Sequence, residues 1–365
     1  VTRGTVAALT GAALLAALPS AAAAITAPPG VRVQTVARGI PQPTAITFDA
    51  RGGMWVTSAG NLATPGDGVW YVRRPGARPR HVVRGLFLAL GLTWRGGVLY
   101  VSHVTPFDRT GAAYRQRRGR LVGLTGWNGR RFRGTRVVLS GLPVGRHTMD
   151  NVVRGPDGRL YLGIGSQGDA TRGPSPLSAS VISVDPGARR PRPRLEARGL
   201  RNPYGLAFIP GTRDLVVTDN GRDDLGLGRP PDEVNIIRTR GRARDYGFPQ
   251  CWGQGGPACR GTVGALVGTA PHASTDGVAV AARFGRLGRS IFVANNGSSL
   301  FEDPPTTNVQ RVALRRTRSG YRGRLVPFAS GFRRFDPLGA AMGPGGALYV
   351  TLWVSGRVIR FTPPG

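Results

Sequence analysis

Along this chain apolar residues fall in short alternating runs such as "DGVWYVRR", "GRLVGLTG" and "SVISVDPG", each bounded by Gly, Pro or Asp. A period of two is the signature of a strand with one buried face, and the Gly- and Pro-bearing gaps are its turns. Past the N-terminal stretch, no segment of about 10 to 15 residues carries the 3.6-residue period of an amphipathic helix. One composite pattern recurs six times, beginning at Ala37, Val83, Leu139, Ala197, Pro271 and Ala329. Each copy has a Gly-containing lead, a short apolar strand, a Gly turn and a strand of the "LYV" kind. A third strand follows: "DGVWYVRR", "GRLVGLTG", "SVISVDPG", "DEVNIIRT", "NVQRVALR" or "GRVIRFTP". Four-stranded units repeated radially predict an all-β, six-bladed β-propeller closed between its first and last blades, with its loops around a central channel. Longer insertions are expected at 105–116, 225–231 and 248–267.

Composition sharpens this in two places. The formal charge of +31 invites a polyanion reading. Every basic residue is an arginine, however, and these are scattered through turns rather than gathered on one stripe, so no nucleic-acid partner is expected. The second place is the N-terminus, "VTRGTVAALTGAALLAALPSAAAA". It has one Arg, an apolar run too short to span a bilayer, and small residues suited to cleavage. Residues 1–24 are expected to be a secretory signal peptide, 25–365 a single propeller domain, and the protein an exported one with no membrane span. Export makes Cys251 and Cys259 informative. In "QCWGQGGPACRG" they are close enough for a disulfide in an oxidising compartment, the alternative being two free thiols.

Candidate chemistry is sparse. The literal G-x-G-x-x-G at Gly163, Gly165 and Gly168 is followed by "DATRGPSP", which cannot open the helix that a dinucleotide loop requires. Its glycines are read instead as turns at a blade's end, and Pro156-Asp157-Gly158 as the hairpin turn of the third blade. No zincin, nucleophile-elbow or C-x-x-C motif is present. Asp219, Asp223, Asp224, Asp232 and Glu233 crowd one short stretch of a basic chain. They suit a Ca2+ site, or equally a solvated acidic loop set against neighbouring arginines. His147, before a strand of the third copy, is a candidate base or a structural histidine. His272 is a weaker candidate, and His81 and His103 have no partner pattern. Arg201 and Asn202 offer a guanidinium fork and an amide to an anionic ligand, or else pair within the protein.

Three ordered segments, "HTMDNVVRGPDGRLYLGIGSQGD" from His147, "RGLRNPYGLAFIPG" from Arg198 and "VVTDNGRDDLGLGRPPDEVNIIRTRGRARDYGFPQCWG" from Val216, resemble the soluble quinoprotein glucose/sorbosone dehydrogenases. The last is most similar to the sorbosone-type branch. The resemblance implies a propeller using pyrroloquinoline quinone and Ca2+ to oxidise a sugar or related aldose, with electrons passed to an external acceptor. By position, it implies His147 as catalytic base. Gln167, Arg201, Asn202 and Asn220 would contact the cofactor, and Asn220 stands where glucose-oxidising relatives have glutamine. It also implies that the backbone carbonyls of Gly221 and Arg222 hold the metal, supported from behind by Asp232 and Glu233. Two stretches depart from the pattern: "NNGSSLF" from Asn295 lacks the cationic or imidazole contact, and Phe335-Asp336-Pro337 replaces an expected arginine, Arg333 and Arg334 lying close by. Two other functions are weighed against this. One is a carbohydrate- or partner-binding propeller without catalysis; the other is a lactonase-like hydrolase, for which only Asp276 and Asp336 supply acids at the corresponding loop positions of the other copies.

Overall fold

The structure, a computed structural model, describes residues 24–60, 64, 66–105, 118–239, 241–253, 257–297 and 307–365. Residues 1–23, which hold nearly all of the expected signal peptide, and most of the 105–116 insertion lie outside them.

Six antiparallel sheets are arranged as a β-propeller. Blade I comprises Pro43–Phe48, Met54–Ser58, Gly68–Val72 and Arg80–Arg84; blade II comprises Phe87–Arg95, Val98–Val104, Gly119–Thr125 and Gly134–Leu142. Blade III has Met149–Arg154, Leu160–Ile164, Ser180–Val184 and Arg194–Arg198, and Arg244–Asp245 adds a short parallel strand at its edge. Blade IV has Leu206–Phe208, Asp214–Asp219, Pro231–Arg238 and Val267–Pro271; blade V has Thr275–Ala281, Ser290–Asn295, Asn308–Arg316 and Tyr321–Ala329. Blade VI takes Pro337–Met342, Leu348–Leu352 and Arg357–Thr362 from the end of the chain, and its outer strand, Arg32–Arg38, from the beginning. That antiparallel pairing closes the ring, and the repeat pattern had left this strand unassigned. All six expected third strands occupy the third position of their blades. Among the described residues the only helical elements are 3-10 turns, at Pro257–Cys259, Gly285–Leu287 and Pro344–Gly346.

The core is divided as the alternation requires. Each of six apolar clusters fills the space between two adjacent blades, so both faces of every sheet are buried. Chain crossings between blades explain the Gly leads of the repeat. Gly39, Gly85, Gly199 and Gly331 follow outer strands, and Gly141 is the penultimate residue of one, with φ of 71 to 83°, a conformation that only glycine takes without strain. The crossing into blade V has no such glycine; there His272 and Ser274 adopt φ of 54° and 48°.

The innermost strands are irregular at one common place. In five blades the pairing with the second strand slips, between Pro43 and Ile46, Phe87 and Gly91, Met149 and Val152, Thr275 and Val278, and Pro337 and Ala340. Bulges of this kind re-aim side chains, and here they surround the channel.

One expectation is corrected. Gly163 lies inside the strand Leu160–Ile164 rather than in a turn. A Cβ there would come within 2.1 Å of the Pro203 carbonyl oxygen of blade IV, and one on Gly165 within 2.3 Å of the His147 Cβ. These are glycines of close approach, whereas Pro156-Asp157-Gly158 does form the hairpin turn between the first two strands of blade III.

Candidate active site

In an up-and-down blade, the crossing to the first strand and the loop after the second emerge at the same end of the sheet. At that end all six blades contribute to one cavity of about 560 Å³. His147, Arg201, Asn202, Asn220 and Gly221 line it, joined by Arg146, Asp150, Tyr204, Asp223, Asp232, His272 and Asp276. Five of the seven residues singled out in the sequence therefore meet around one opening.

Backbone pairing fixes the two central segments against each other. The His147 amide donates to the Ser166 carbonyl at 3.1 Å, the Ser166 amide to the Arg201 carbonyl at 2.7 Å, and the Gly165 amide to the Thr148 carbonyl at 2.8 Å. His147 is half-buried, and its Nε2 is buried with no hydrogen-bond partner. Burial, reinforced by the positive charges of Arg201 and Arg146, pushes its pKa down to about 3. The ring is consequently uncharged at neutral pH, and its free nitrogen can accept a hydrogen bond.

Arg201 is only 3% exposed and its guanidinium is already paired: it donates to Asp169 and, at 2.9 Å, to Asp223. Asp223 gathers Arg146 at 3.0 Å as well, and His272 Nδ1 lies 3.6 Å from it. Burial works to raise the Asp223 carboxyl, but Arg201 and Arg146 outweigh it and hold the group below its usual range. Asn202 Nδ2 donates to Asn220 Oδ1 at 2.8 Å, while Asn202 Oδ1 is buried and unpartnered.

Two expected residues stand apart from the cavity. The side-chain oxygen of Gln167 accepts the Ser175 amide at 3.0 Å, which turns it into its own loop. Arg222 donates to Asp224 at 2.6 Å and to the Pro249 carbonyl at 2.8 Å. The acidic stretch does not converge as a carboxylate cage. Asp219 accepts the Arg201 and Asn202 amides at 3.0 and 2.6 Å, Asp232 accepts the Gly221 and Thr275 amides at 2.8 and 2.9 Å, and Glu233 accepts from Asn235 and Gly253. Its members are spent holding the loops that frame the cavity. Among the described residues no three His, Cys, Asp or Glu side chains form a metal-binding set.

Cys251 and Cys259 form a disulfide, Cα to Cα 5.1 Å, in the loop that supplies Gly253 to Glu233 and Pro249 to Arg222. Of the departing stretches, Asn295 is buried in amide contacts with Asn308 and Gln310, and Asn296 and Gly297 reach the cavity. Residues 298–301 lie outside the described ones. Phe335 lines the cavity with φ of 62°, under the Arg334 guanidinium, whereas Asp336 is turned to Ser355. His81 stacks on Trp70, and His103 Nδ1 lies 2.8 Å from the Val104 carbonyl oxygen; neither reaches the cavity.

The sequence reading passed over two cavity residues, Asp150 and Tyr204, respectively 2% and 8% exposed. Their signal was an ionisable or phenolic side chain at an inward position of an otherwise apolar strand start. Asp150 Oδ2 and the Tyr204 hydroxyl are both buried without partners.

No protein-family model matches the chain. A curated relative from Borreliella burgdorferi, whose name states no function, is 32% identical over 96 residues, and the chain spans 24% of its length. Solved structures match throughout. A Thermus thermophilus protein assigned as an oxidoreductase (glucose dehydrogenase) is 26% identical, with 91% of this chain and 100% of that one covered at a TM-score of 0.68. The pyranose dehydrogenase PQQ domain of Coprinopsis cinerea, in its holo form, is 18% identical over 94% of this chain and 98% of its own, TM-score 0.74. The PQQ-bound aldose sugar dehydrogenase of Streptomyces coelicolor is 19% identical over 92% and 99%, TM-score 0.68. The resemblance read from three sequence segments thus holds across the whole propeller: the chain shares the fold of the soluble PQQ-dependent sugar dehydrogenases.

Proposed function

We propose that this propeller is an exported quinoprotein dehydrogenase that oxidises the C1 or aldehyde carbon of an aldose, in the manner of the sorbosone-type branch, and passes electrons to an external acceptor. The observation that carries this reading is His147, whose uncharged, unpartnered Nε2 lies at a six-blade cavity in a fold shared with PQQ-bound sugar dehydrogenases. A buried polar atom without a partner costs about 1–3 kcal/mol, a cost that a ligand hydroxyl removes.

The residues present fit the cofactor at the mouth. The cavity has room for a planar tricarboxylate beside a sugar. Arg146 is well exposed there, and Asn202 and Asn220 offer amides. With no carboxylate cage, a Ca2+ ion would rest on the carbonyls of Gly221 and Arg222, whose loop Asp232 anchors through the Gly221 amide. When bound, the quinone supplies a hydride acceptor. The protein's part is to hold the substrate hydroxyl against His147 Nε2, take its proton there, and keep water out with Leu88, Phe335 and Trp353. The disulfide accords with an oxidising compartment.

A second reading, a sugar-binding propeller without catalysis, is favoured by Arg201, whose guanidinium is already neutralised by Asp169 and Asp223. Turnover separates the two. Protein supplied with pyrroloquinoline quinone and Ca2+ is expected to reduce a dye with an aldose. His147→Ala should lower kcat by about 10²-fold or more, as for loss of a general base, while quinone affinity stays within a few-fold. Undiminished turnover in His147→Ala would remove the residue from this role.

A further inference from the structure

The turns between the first and second strands of each blade, and between the third and fourth, emerge at the end of the propeller away from the cavity. Around the second of these hairpins, blades I, II, III and V carry "RRPGAR" from Arg73, "NGRRFR" from Asn128, "GARRPR" from Gly187 and "RRTRSG" from Arg315. Each stretch holds three arginines, and all of them are exposed. Blade IV adds the exposed Arg238 and Arg242 at the same place. Residues scattered along the chain thus converge in the fold on one end of the disc.

Carboxylates at that end are engaged elsewhere. Asp49 accepts the Gly53 amide at 2.9 Å, Asp157 the Tyr161 hydroxyl at 2.9 Å, Asp185 the Gly187 amide at 2.8 Å and Asp214 the Tyr321 hydroxyl at 2.6 Å, while Glu196 pairs with Arg194. Among the described residues, no ion pair joins a carboxylate to any of the hairpin arginines. The acids of the cavity stand at the other end, so charge is segregated along the propeller axis. Neighbouring hairpins are also fastened together. Arg80 donates to the Gly129 and Arg130 carbonyls at 3.0 and 3.1 Å, Arg136 to the Pro186 carbonyl, and Arg238 to the Ser319 carbonyl at 2.5 Å. These contacts join blades I to II, II to III and IV to V into a ring of turns. Like charges held so close repel one another, a strain that an anionic partner relieves.

We propose that this ring of arginines docks the protein on an anionic phospholipid bilayer, with the cavity facing away from the surface. The charges are spread over five blades around one end, which matches a two-dimensional field of lipid phosphates, whereas a linear polyanion would be met by a single track. Guanidinium groups pair well with phosphate oxygens, and each basic residue brought within a Debye length of such a surface adds to the attraction. The large apolar residues that are exposed, Val33, Val137, Leu227 and Val354, lie outside these hairpin stretches. Attachment is therefore electrostatic rather than inserted, and salt reverses it. The inference is independent of sugar oxidation and leaves the cavity mouth open to solutes.

Cosedimentation of the purified protein with vesicles tests this, comparing phosphatidylcholine alone with equal parts of phosphatidylcholine and phosphatidylglycerol. The protein is expected to bind only the anionic vesicles at about 0.1 M NaCl and to be released at about 1 M, where the Debye length shrinks from about 10 Å to about 3 Å. Arg130→Glu, Arg189→Glu and Arg318→Glu together should weaken binding by about 100-fold or more. Arg130→Lys, Arg189→Lys and Arg318→Lys together, which keep the charge, should retain it within a few-fold. Arg38→Glu, Arg84→Glu and Arg357→Glu make the same change in net charge at the cavity end, beyond a Debye length from the ring, and should also stay within a few-fold. Thermal unfolding shows that each variant is folded. No binding to anionic vesicles, binding indifferent to salt, or equal losses from the two glutamate variants would overturn the proposal. Saturable binding of polyphosphate by protein that ignores the vesicles would also overturn it, assigning the ring to a linear polymer.

Discussion

His147 owes its place to residues that carry no chemistry of their own. Its amide is tied to Ser166, and the missing side chain of Gly165 leaves room for its Cβ. Adding a methyl there cannot be absorbed by a flexible side-chain end, because the contact is with His147 itself. Gly165→Ala should displace the histidine, lowering kcat by more than tenfold while destabilising the fold by about 1–3 kcal/mol, the usual toll of overpacking; steady-state kinetics and denaturant unfolding on one sample would show both. Unchanged kcat would mean that the imidazole position does not depend on this contact. At this scale the sequence was only half legible. His147, Arg201, Asn202, Asn220 and Gly221 were visible because three ordered segments carry them. Gln167 was placed by the same resemblance, yet its amide oxygen accepts the Ser175 amide, a rotamer choice that no motif encodes. Asp150 was missed because a strand bulge, not the alternation, turns it to the channel, and Tyr204 because it stands in the crossing before the strand Leu206–Phe208.

Among the elements, strands were the most legible and loops the least. Every third strand had been marked by its β-branched and aromatic run, and five of the six crossings by a glycine that proves to need positive φ. The outer strand Arg32–Arg38 was not legible, since its partner Arg357–Thr362 is at the other end of the chain and nothing local specifies the pairing. The long insertion after blade IV's third strand was expected only from 248 to 267 and begins earlier. It folds back over blade III as Arg244–Asp245, and its disulfide-closed turn meets the loop of Gly221 and Arg222. Closing so short a loop is worth about 2–3 kcal/mol in the chain-entropy account. Reduction, or Cys251→Ser with Cys259→Ser, is expected to lower stability by that amount and weaken Ca2+-dependent quinone binding, with the propeller intact by circular dichroism. Equal quinone affinity before and after reduction would separate this turn from the site.

The whole molecule combines a strongly basic surface with a channel of buried acids. Asp150, Asp219 and Asp276 are each pushed well above the normal carboxylate range, first by burial and then by neighbouring acids. A carboxyl raised in the native state binds more protons there than in the unfolded chain, so these acids make stability fall as pH rises past the ordinary carboxylate range. In metal-free buffer Asp150→Asn, which removes one such group, should therefore make the thermal midpoint fall less, or rise more, with increasing pH than in the parent protein. A pH dependence of the midpoint unchanged by Asp150→Asn would show that this carboxyl is not raised in the native protein. The propeller itself was legible as a repeat because each blade must bury both faces against its neighbours, which leaves the same mark six times over. What occupies the channel mouth was legible only through resemblance, since an open cavity with a neutral histidine suits more than one sugar chemistry.

The most direct test is calorimetric titration of the purified protein with pyrroloquinoline quinone, in Ca2+ and again in a chelator. The account predicts saturable one-to-one binding that needs the metal. An absence of binding in both buffers would contradict it and leave a propeller that binds sugars without oxidising them.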